Sequence, residues 1–170
     1  MRAALLLALL TVAAPARADT PRGRVLVSAS AGTGLLFGCC GGSVTAEYSL
    51  GLRGGVRVWR DLAVVVDGID RIFVGAGGSQ SHGAVTVGPQ VRLGPAHARV
   101  GLGVDFALGH AGSAVGPMFD YGNAFALEGA LGIEPERGGR FGLLLELTAA
   151  VCFYDRTYKE LALTLGFEWQ

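Results

Sequence analysis

Apolar residues occupy every second position over long stretches of this chain. The clearest stretch is the last one, in which Leu161, Leu163, Leu165, Phe167 and Trp169 alternate with Ala162, Thr164, Gly166, Glu168 and Gln170. A period of two indicates a β-strand with one apolar face and one polar face. The pattern therefore predicts an all-β protein whose strands separate an apolar environment from a polar one.

Clusters of Gly, Pro, Asn and Asp divide the chain into eight strand candidates, at residues 23–33, 44–58, 62–74, 84–93, 98–109, 124–134, 141–153 and 158–169. Each is close to or longer than the roughly 9–11 residues that cross a bilayer at a tilt. Short turns (59–61, 94–97 and 135–140) alternate with outer loops, of which three are longer (35–43, 75–83 and 111–123) and one is short (155–157). This asymmetry is typical of transmembrane barrels and predicts that both termini lie on the periplasmic side.

The polar columns distinguish a membrane barrel from a soluble sandwich. A soluble β-domain normally uses lysine on its wet face, yet Lys159 is the only lysine here, and the polar columns are mostly Gly, Ala, Ser and Thr. We therefore predict an eight-stranded antiparallel up-and-down transmembrane β-barrel whose apolar columns face lipid. Its small inward residues would leave room for a buried ion-pair network of Arg53, Arg57, Arg92, Arg99, Glu47, Asp105, Glu128, Glu146 and Glu168.

The third strand breaks the pattern, because Asp67 and Asp70 differ in parity. One strict register would place Asp70 on the lipid-facing side. Two interpretations avoid this cost: a β-bulge at Gly68, or a membrane strand that ends near Val66 with the rest in the outer loop.

The start of the chain predicts a secretory signal peptide. Arg2 supplies a positive start, residues 3–14 an apolar core, and Ala16-Arg17-Ala18 a small-x-small cleavage site. We expect cleavage after Ala18, so that residues 1–18 are the signal and residues 19–170 one barrel domain. The segment Leu36-Phe37-Gly38-Cys39 imitates a lipoprotein signal, but the alternation of the residues before it favours a first strand.

Composition and cysteine use narrow the function classes. Loss of Arg2 and Arg17 lowers Lys+Arg from 14 to 12 against 14 Asp+Glu, and this near neutrality argues against a nucleic-acid partner. Cys39, Cys40 and Cys152 have no spacing suited to a metal. In an exported protein, one interpretation is a disulfide between Cys152 and a member of the 39–40 pair, and the other is three reduced thiols.

From residue 22 onward the chain resembles the small eight-stranded outer-membrane barrels of the OmpA/OmpX type, without a periplasmic domain. Its ending, residues 161–170, is similar to the C-terminal strand that the outer-membrane insertion machinery recognises in that family, although here Gln170 follows the aromatic Trp169. The resemblance implies a porin-like protein of the Gram-negative envelope, exported to the bacterial outer membrane. Its partners would be outer-membrane lipid and, during biogenesis, the insertion machinery.

The first functional expectation is a non-enzymatic monomer with an envelope-structural or loop-mediated binding role and no cofactor, catalytic residue or metal ligand. One alternative is a narrow pore or a binder of a small apolar ligand. The other is an outer-membrane lipid hydrolase with His110 as base, Ser113 as nucleophile and inward Glu128 as the orienting carboxylate, although the spacing departs from the His-x-Ser of the deacylases it would resemble. His82 and His110 fall in predicted outer loops with Asp120, and His97 in a turn, but no local ligand pair predicts a metal site.

Overall fold

The computed structural model describes residues 25–37, 44–75, 78–111, 123–134, 137–138, 141–154 and 157–169. These residues form eight long strands: β1 (Val25–Phe37), β2 (Val44–Arg57), β3 (Leu62–Gly75), β4 (Gly78–Leu93), β5 (Ala96–Ala111), β6 (Asn123–Ile133), β7 (Phe141–Phe153) and β8 (Thr157–Trp169). A two-residue strand, Arg137–Gly138, pairs with the start of β7. Within the described ranges, no helix has the length and apolar character needed to span a membrane.

The eight strands close into a barrel. Each long strand pairs antiparallel with its neighbours in sequence, and β8 pairs with β1. We followed the cross-strand partner of Val27 from each strand to the next, once around the barrel. This path returns to β1 at Phe37, so the strands are staggered by ten residues per circuit (37 − 27 = 10). With eight strands, this stagger tilts the strands roughly 40° from the barrel axis. The predicted up-and-down barrel is confirmed.

The apolar columns face outward along the whole wall. Leu52, Phe167 and Leu165 are 69%, 64% and 55% exposed, whereas alternate residues on the same strands are buried. A soluble barrel would bury these leucines in its interior, so an apolar exterior of this kind matches hydrocarbon rather than water. The predicted orientation of the two faces is confirmed.

Glycines allow the wall to bend sharply at two opposite seams, β8–β1 and β4–β5. A Cβ atom on Gly32 would overlap the carbonyl oxygen of Leu163, and one on Gly103 would overlap that of Val85. Only glycine fits where two backbones approach this closely. Part of the high glycine content therefore serves the curvature of a small barrel, a reason that differs from the expected role of leaving room for long side chains.

Several predicted loops are shorter than expected because strands continue into them. β1 runs to Phe37, β4 begins at Gly78, and β5 covers Ala96–Ala111. The predicted turn at 94–97 contracts to two residues, with Gly94 at φ 63°, a conformation that glycine adopts readily. These segments are rich in Gly, Ser and His, residues that indicate turns locally, but the pairing of neighbouring strands overrides that preference.

Both interpretations of the third strand are wrong. β3 keeps one regular register with β2 and β4 from Ala63 to Val74, without a bulge at Gly68 and without an end near Val66. Asp70 therefore shares the outward column with Val66, and the hydroxyl of Ser81 donates a hydrogen bond of 2.6 Å to its Oδ1. The irregularity lies instead between β4 and β5, beside Ser81.

Candidate functional site

The middle of the lumen holds a network of buried ion pairs. Arg53 pairs through Nε with Asp67 Oδ2 at 2.7 Å and through Nη2 with Glu146 Oε1 at 2.8 Å. Arg99 reaches the same two carboxylates, at 3.0 Å for Asp67 and 2.8 Å for Glu146, and also pairs with Glu128. These five side chains share partners and lie on β2, β3, β5, β6 and β7, so the network connects five strands.

A third arginine, Arg71, extends the network toward the barrel end that lies opposite the two chain termini, which we call the far end. Arg71 pairs through Nη1 with Asp105 Oδ2 at 3.1 Å, through Nη2 with Glu128 Oε2 at 3.4 Å and through Nε with Glu160 Oε2 at 2.6 Å. Glu128 contacts both Arg71 and Arg99, so it joins the two parts of the network. Removing one partner from such a cluster would leave an uncompensated buried charge.

Both described histidines belong to this network, contrary to the predictions that placed His82 in an outer loop and His97 in a turn. His97 Nε2 lies 2.8 Å from Glu146 Oε2, and His82 Nδ1 lies 3.0 Å from Asp105 Oδ1. A signal for His97 exists in the sequence, because it has the same parity as Arg99 and Asp105 and extends their inward column by one step. His82 has the same parity as Arg92 on its strand, but Gly and Ser surround it and indicate a loop instead.

A separate group of charges lies at the end of the barrel that carries the chain termini, which we call the near end. There Arg92 forms ion pairs with both Glu134 and Glu168. All three side chains are at least 94% buried, with exposures of 5%, 6% and 1%. Eight of the nine charges predicted to face inward are buried, and Arg57 is half-buried. The alternation did not indicate which acid pairs with which arginine.

Apolar clusters lie in the lumen at both ends of the charged network. Leu26, Ala63 and Val65 pack together at the near end. The far-end cluster contains aromatic and small residues: Leu36, Phe73, Ala126, Cys152 and Tyr158, with Tyr154 packed against them. Between the two clusters, a cavity lined by Ser30, Arg53 and Glu146 measures about 10 Å³, which is room for about one water molecule. The described side chains thus fill the barrel.

An Asp–His pair, Asp105 and His82, lies beside the far-end cluster, and some enzymes use such a pair for acid–base chemistry. Tyr154 is the residue that follows β7. Its hydroxyl donates a hydrogen bond to Asp105 Oδ1 and lies 3.4 Å from His82 Nδ1. Burial, and then the hydrogen bond to Asp105, raises the pKa of Tyr154, so the hydroxyl remains a donor. Asp105 also accepts from Arg71 and, at 3.7 Å, from the Cys152 thiol. Because the Asp105 carboxylate already accepts hydrogen bonds from several side chains, the arrangement favours a structural role that links neighbouring strands of the wall.

The residues of the predicted hydrolase are not brought together by the described structure. His110 lies at the end of β5 opposite Gln80, but its side chain, Ser113 and Asp120 all fall outside the described residues. Glu128 points into the ion-pair network, where two arginines occupy it. Among the described residues, no group of three or more His, Cys, Asp or Glu side chains is placed to hold a metal ion.

Cys152 is a free thiol, fully buried in the far-end cluster. The other two cysteines, Cys39 and Cys40, fall outside the described residues. The described structure therefore supports the reduced interpretation for Cys152.

A closed eight-stranded wall with an apolar exterior and a polar, filled lumen defines a transmembrane β-barrel. No protein-family model matches the chain, and no curated protein matches it either. Several solved structures do. Neisserial surface protein A (NspA) has a TM-score of 0.65 at 14% identity, covering 86% of this chain and 97% of that chain.

Two further structures give the same result. OprG from Pseudomonas aeruginosa has a TM-score of 0.58 at 10% identity, covering 88% of this chain and 97% of that one. Ail, the attachment invasion locus protein of Yersinia pestis, has a TM-score of 0.55 at 14% identity, covering 88% and 100%. At these identities the likeness establishes the fold alone. The chain has the fold of the small eight-stranded outer-membrane barrels, as the resemblance in its sequence implied.

Proposed function

We propose that this chain is a non-enzymatic bacterial outer-membrane barrel that does not conduct ions and whose wall carries binding segments at its far end. The observation that carries the proposal is the filled lumen, in which apolar clusters cap a buried ion-pair network. An ion that crosses the lumen would have to displace the paired charges and the side chains of both apolar clusters. A narrow pore, the first alternative, is disfavoured for that reason.

The far end is the place where binding partners would be met. The segments that join strands there include residues 38–43 and 112–122, whereas β4 and β5 are joined at the near end by Gly94 and Pro95 alone. Loops on a rigid scaffold commonly carry the binding function of a barrel. We therefore place the loop-mediated role on these far-end segments and a structural role on the wall.

Ion conductance in planar bilayers tests the proposal. The chain reconstituted without residues 1–18 should give no steady current above that of protein-free bilayers. A variant in which Arg53, Arg99 and Glu146 are all replaced by Ser would serve as an opened control, provided that it still shows barrel-type gel migration before boiling. A steady, voltage-independent current from the unmodified barrel would contradict a filled lumen.

A separate assay addresses the hydrolase alternative. The barrel reconstituted with lipopolysaccharide and phospholipid should release no fatty acid beyond the protein-free rate. Release that is abolished by His110→Ala or Ser113→Ala, while Thr157→Ala leaves it intact, would establish the enzyme and remove the non-enzymatic proposal.

We further propose that outer-membrane lipid surrounds the wall and that the insertion machinery recognises β8. The outward residues of β8 are large and exposed up to the strand's last described position, with Phe167 at 64% and Trp169 at 38%. A strand with an apolar column and an aromatic residue near its end is the feature that the family resemblance associates with recognition during assembly.

A further inference from the structure

The outer wall carries two charged side chains along the described strands. Asp70 lies on β3 and Lys159 on β8, and both share their columns with outward apolar residues. Neither forms an ion pair with a described residue, and Asp70 receives a single hydrogen bond, from Ser81. A charge facing hydrocarbon is costly, which makes both positions candidates for an interaction.

The two charges do not reach each other within one copy. The registered partners of Asp70 across the wall are, in order, Leu50, Ala31 and Leu165. Leu165 lies six residues from Lys159 along β8 (165 − 159 = 6), and six residues of extended strand span about 20 Å. Because the strands tilt, that distance is mostly offset in height, so the two charges lie within roughly 6 Å of each other along the barrel axis.

A shallow apolar groove surrounds Asp70. It has a volume of about 590 Å³ and crosses β2, β3 and β4 on the outside of the barrel, reaching Ala29 on β1 and Phe106 on β5. Gly68 and Gly83 leave its floor without side chains, and Leu50, Leu52, Val85 and Phe106 line its sides. The groove thus offers apolar space with one carboxylate in it.

A ridge of aromatic rings surrounds Lys159. Phe37 is its registered partner on β1, and Phe153 lies on the adjacent strand β7. Phe153 in turn contacts Phe125, with ring centroids 5.8 Å apart. All three rings are exposed, at 37%, 48% and 52% for Phe37, Phe153 and Phe125. The ridge thus presents protruding apolar groups with one ammonium among them.

We propose that copies of this chain associate side by side in the membrane, with the aromatic ridge and Lys159 of one copy against the groove and Asp70 of the next. Three properties match: protruding rings face a recess, an ammonium faces a carboxylate, and the two charges lie at similar heights. In hydrocarbon, packing of this kind and polar pairs drive association, because burial of apolar surface gives no advantage there. The proposal replaces the expectation of a monomer.

The contact is heterologous, since the two surfaces differ and lie on different sides of the barrel. Each copy in a row therefore leaves a free groove at one end and a free ridge at the other, so rows of varying length are expected. Chemical cross-linking in lipid should then give a ladder of products instead of a single dimer band.

Charge reversal tests the pairing directly. In reconstituted vesicles at a low protein-to-lipid ratio, Asp70→Lys and Lys159→Asp should each weaken association by more than about tenfold, because like charges would meet at the interface. The double variant, with both reversals in one chain, should restore the ladder, because it exchanges the two charges. Ile133→Asp adds an outward charge on β6, outside both the ridge and the groove, and is the control that should leave association unchanged.

Folding is verified independently by heat-modifiable gel migration of each variant. The proposal is overturned if all variants show the same products, or if the double variant fails to regain the ladder while both single variants remain folded barrels. It is also overturned if the reversals change only the lipid that copurifies with the protein, since the groove would then hold lipid.

Discussion

The inner and outer faces of the same strands obey opposite rules. Inward side chains are specified by their partners: Glu146 meets Arg53, Arg99 and His97, which come from β2 and β5. For outward side chains such as Leu163, the structure requires only that the side chain be apolar. An inward residue therefore connects distant parts of the chain, whereas an outward residue such as Leu163 has no specific partner within the chain. Substitutions should therefore differ in effect according to parity.

The largest effect is expected at the centre of the network. Glu146→Ala should destabilise the barrel by about 3–5 kcal/mol, because two arginines and a histidine would lose a shared buried carboxylate. Urea unfolding of the lipid-reconstituted protein measures the change. Glu146→Gln, which keeps the shape and acceptor oxygen, should cost less than Glu146→Ala. Equal stability of all three proteins would show that the network does not hold the wall together.

A charge on the lipid face should have the next largest effect. Leu163 lies midway along β8 and is 52% exposed, so Leu163→Arg should cost about 2–4 kcal/mol at the bilayer midplane. The same urea titration applies, with Leu163→Val as the matched apolar control, which should remain close to the unmodified protein. An arginine tolerated without loss would mean that this face does not contact hydrocarbon.

The glycine seams come third. Gly103→Ala should cost about 1–3 kcal/mol, because its Cβ would overlap the backbone of β4 and force the strands apart. Gly54→Ala is the control, since a Cβ there meets no atom within 4 Å. If thermal stability falls equally in both variants, crowding at the seam is not the cause, and backbone entropy or another general effect must be.

The smallest effect on stability is expected at the end of β8. Trp169→Ala should change the unfolding free energy by about 1 kcal/mol or less, because the side chain sits at the rim of the wall. Its effect on insertion should be larger. Insertion into liposomes that contain the purified insertion machinery should slow, whereas Val25→Ala, at the near end of β1, should insert at the normal rate. Equal rates would argue against recognition of β8 through its aromatic end.

The sequence predicted the faces of this barrel better than its interior geometry. Alternation placed Arg53, Arg99 and Glu146 inside, because parity depends only on position along a strand. Alternation could not predict which of these residues form ion pairs with each other. That pairing depends on the ten-residue stagger of the closed wall, which no local pattern encodes. Asp67 and Arg71 were absent from the predicted network because the register of their strand was uncertain. Glu160 was also absent, although it lies in the predicted strand 158–169 with the same parity as Glu168.

The errors concern segments in which local preference and pairing conflict. His82 lies among Gly and Ser and was predicted in a loop, yet pairing with β3 and β5 extends β4 through it. The prediction kept Asp70 off the lipid face by assuming a bulge or an early strand end. In the structure the sheet keeps its register, and Asp70 lies on the outer face. In both places the continuous wall of hydrogen bonds outweighs the preference of one residue.

The most direct test of the account is which face of β8 meets lipid. Nitroxide labels at positions 163 and 164, in a background with Cys39, Cys40 and Cys152 replaced by Ala, report this through collisions with dissolved oxygen, which concentrates in hydrocarbon. The account predicts frequent collisions at position 163 and few at position 164, which faces the lumen. Frequent collisions at 164 with few at 163 would contradict it.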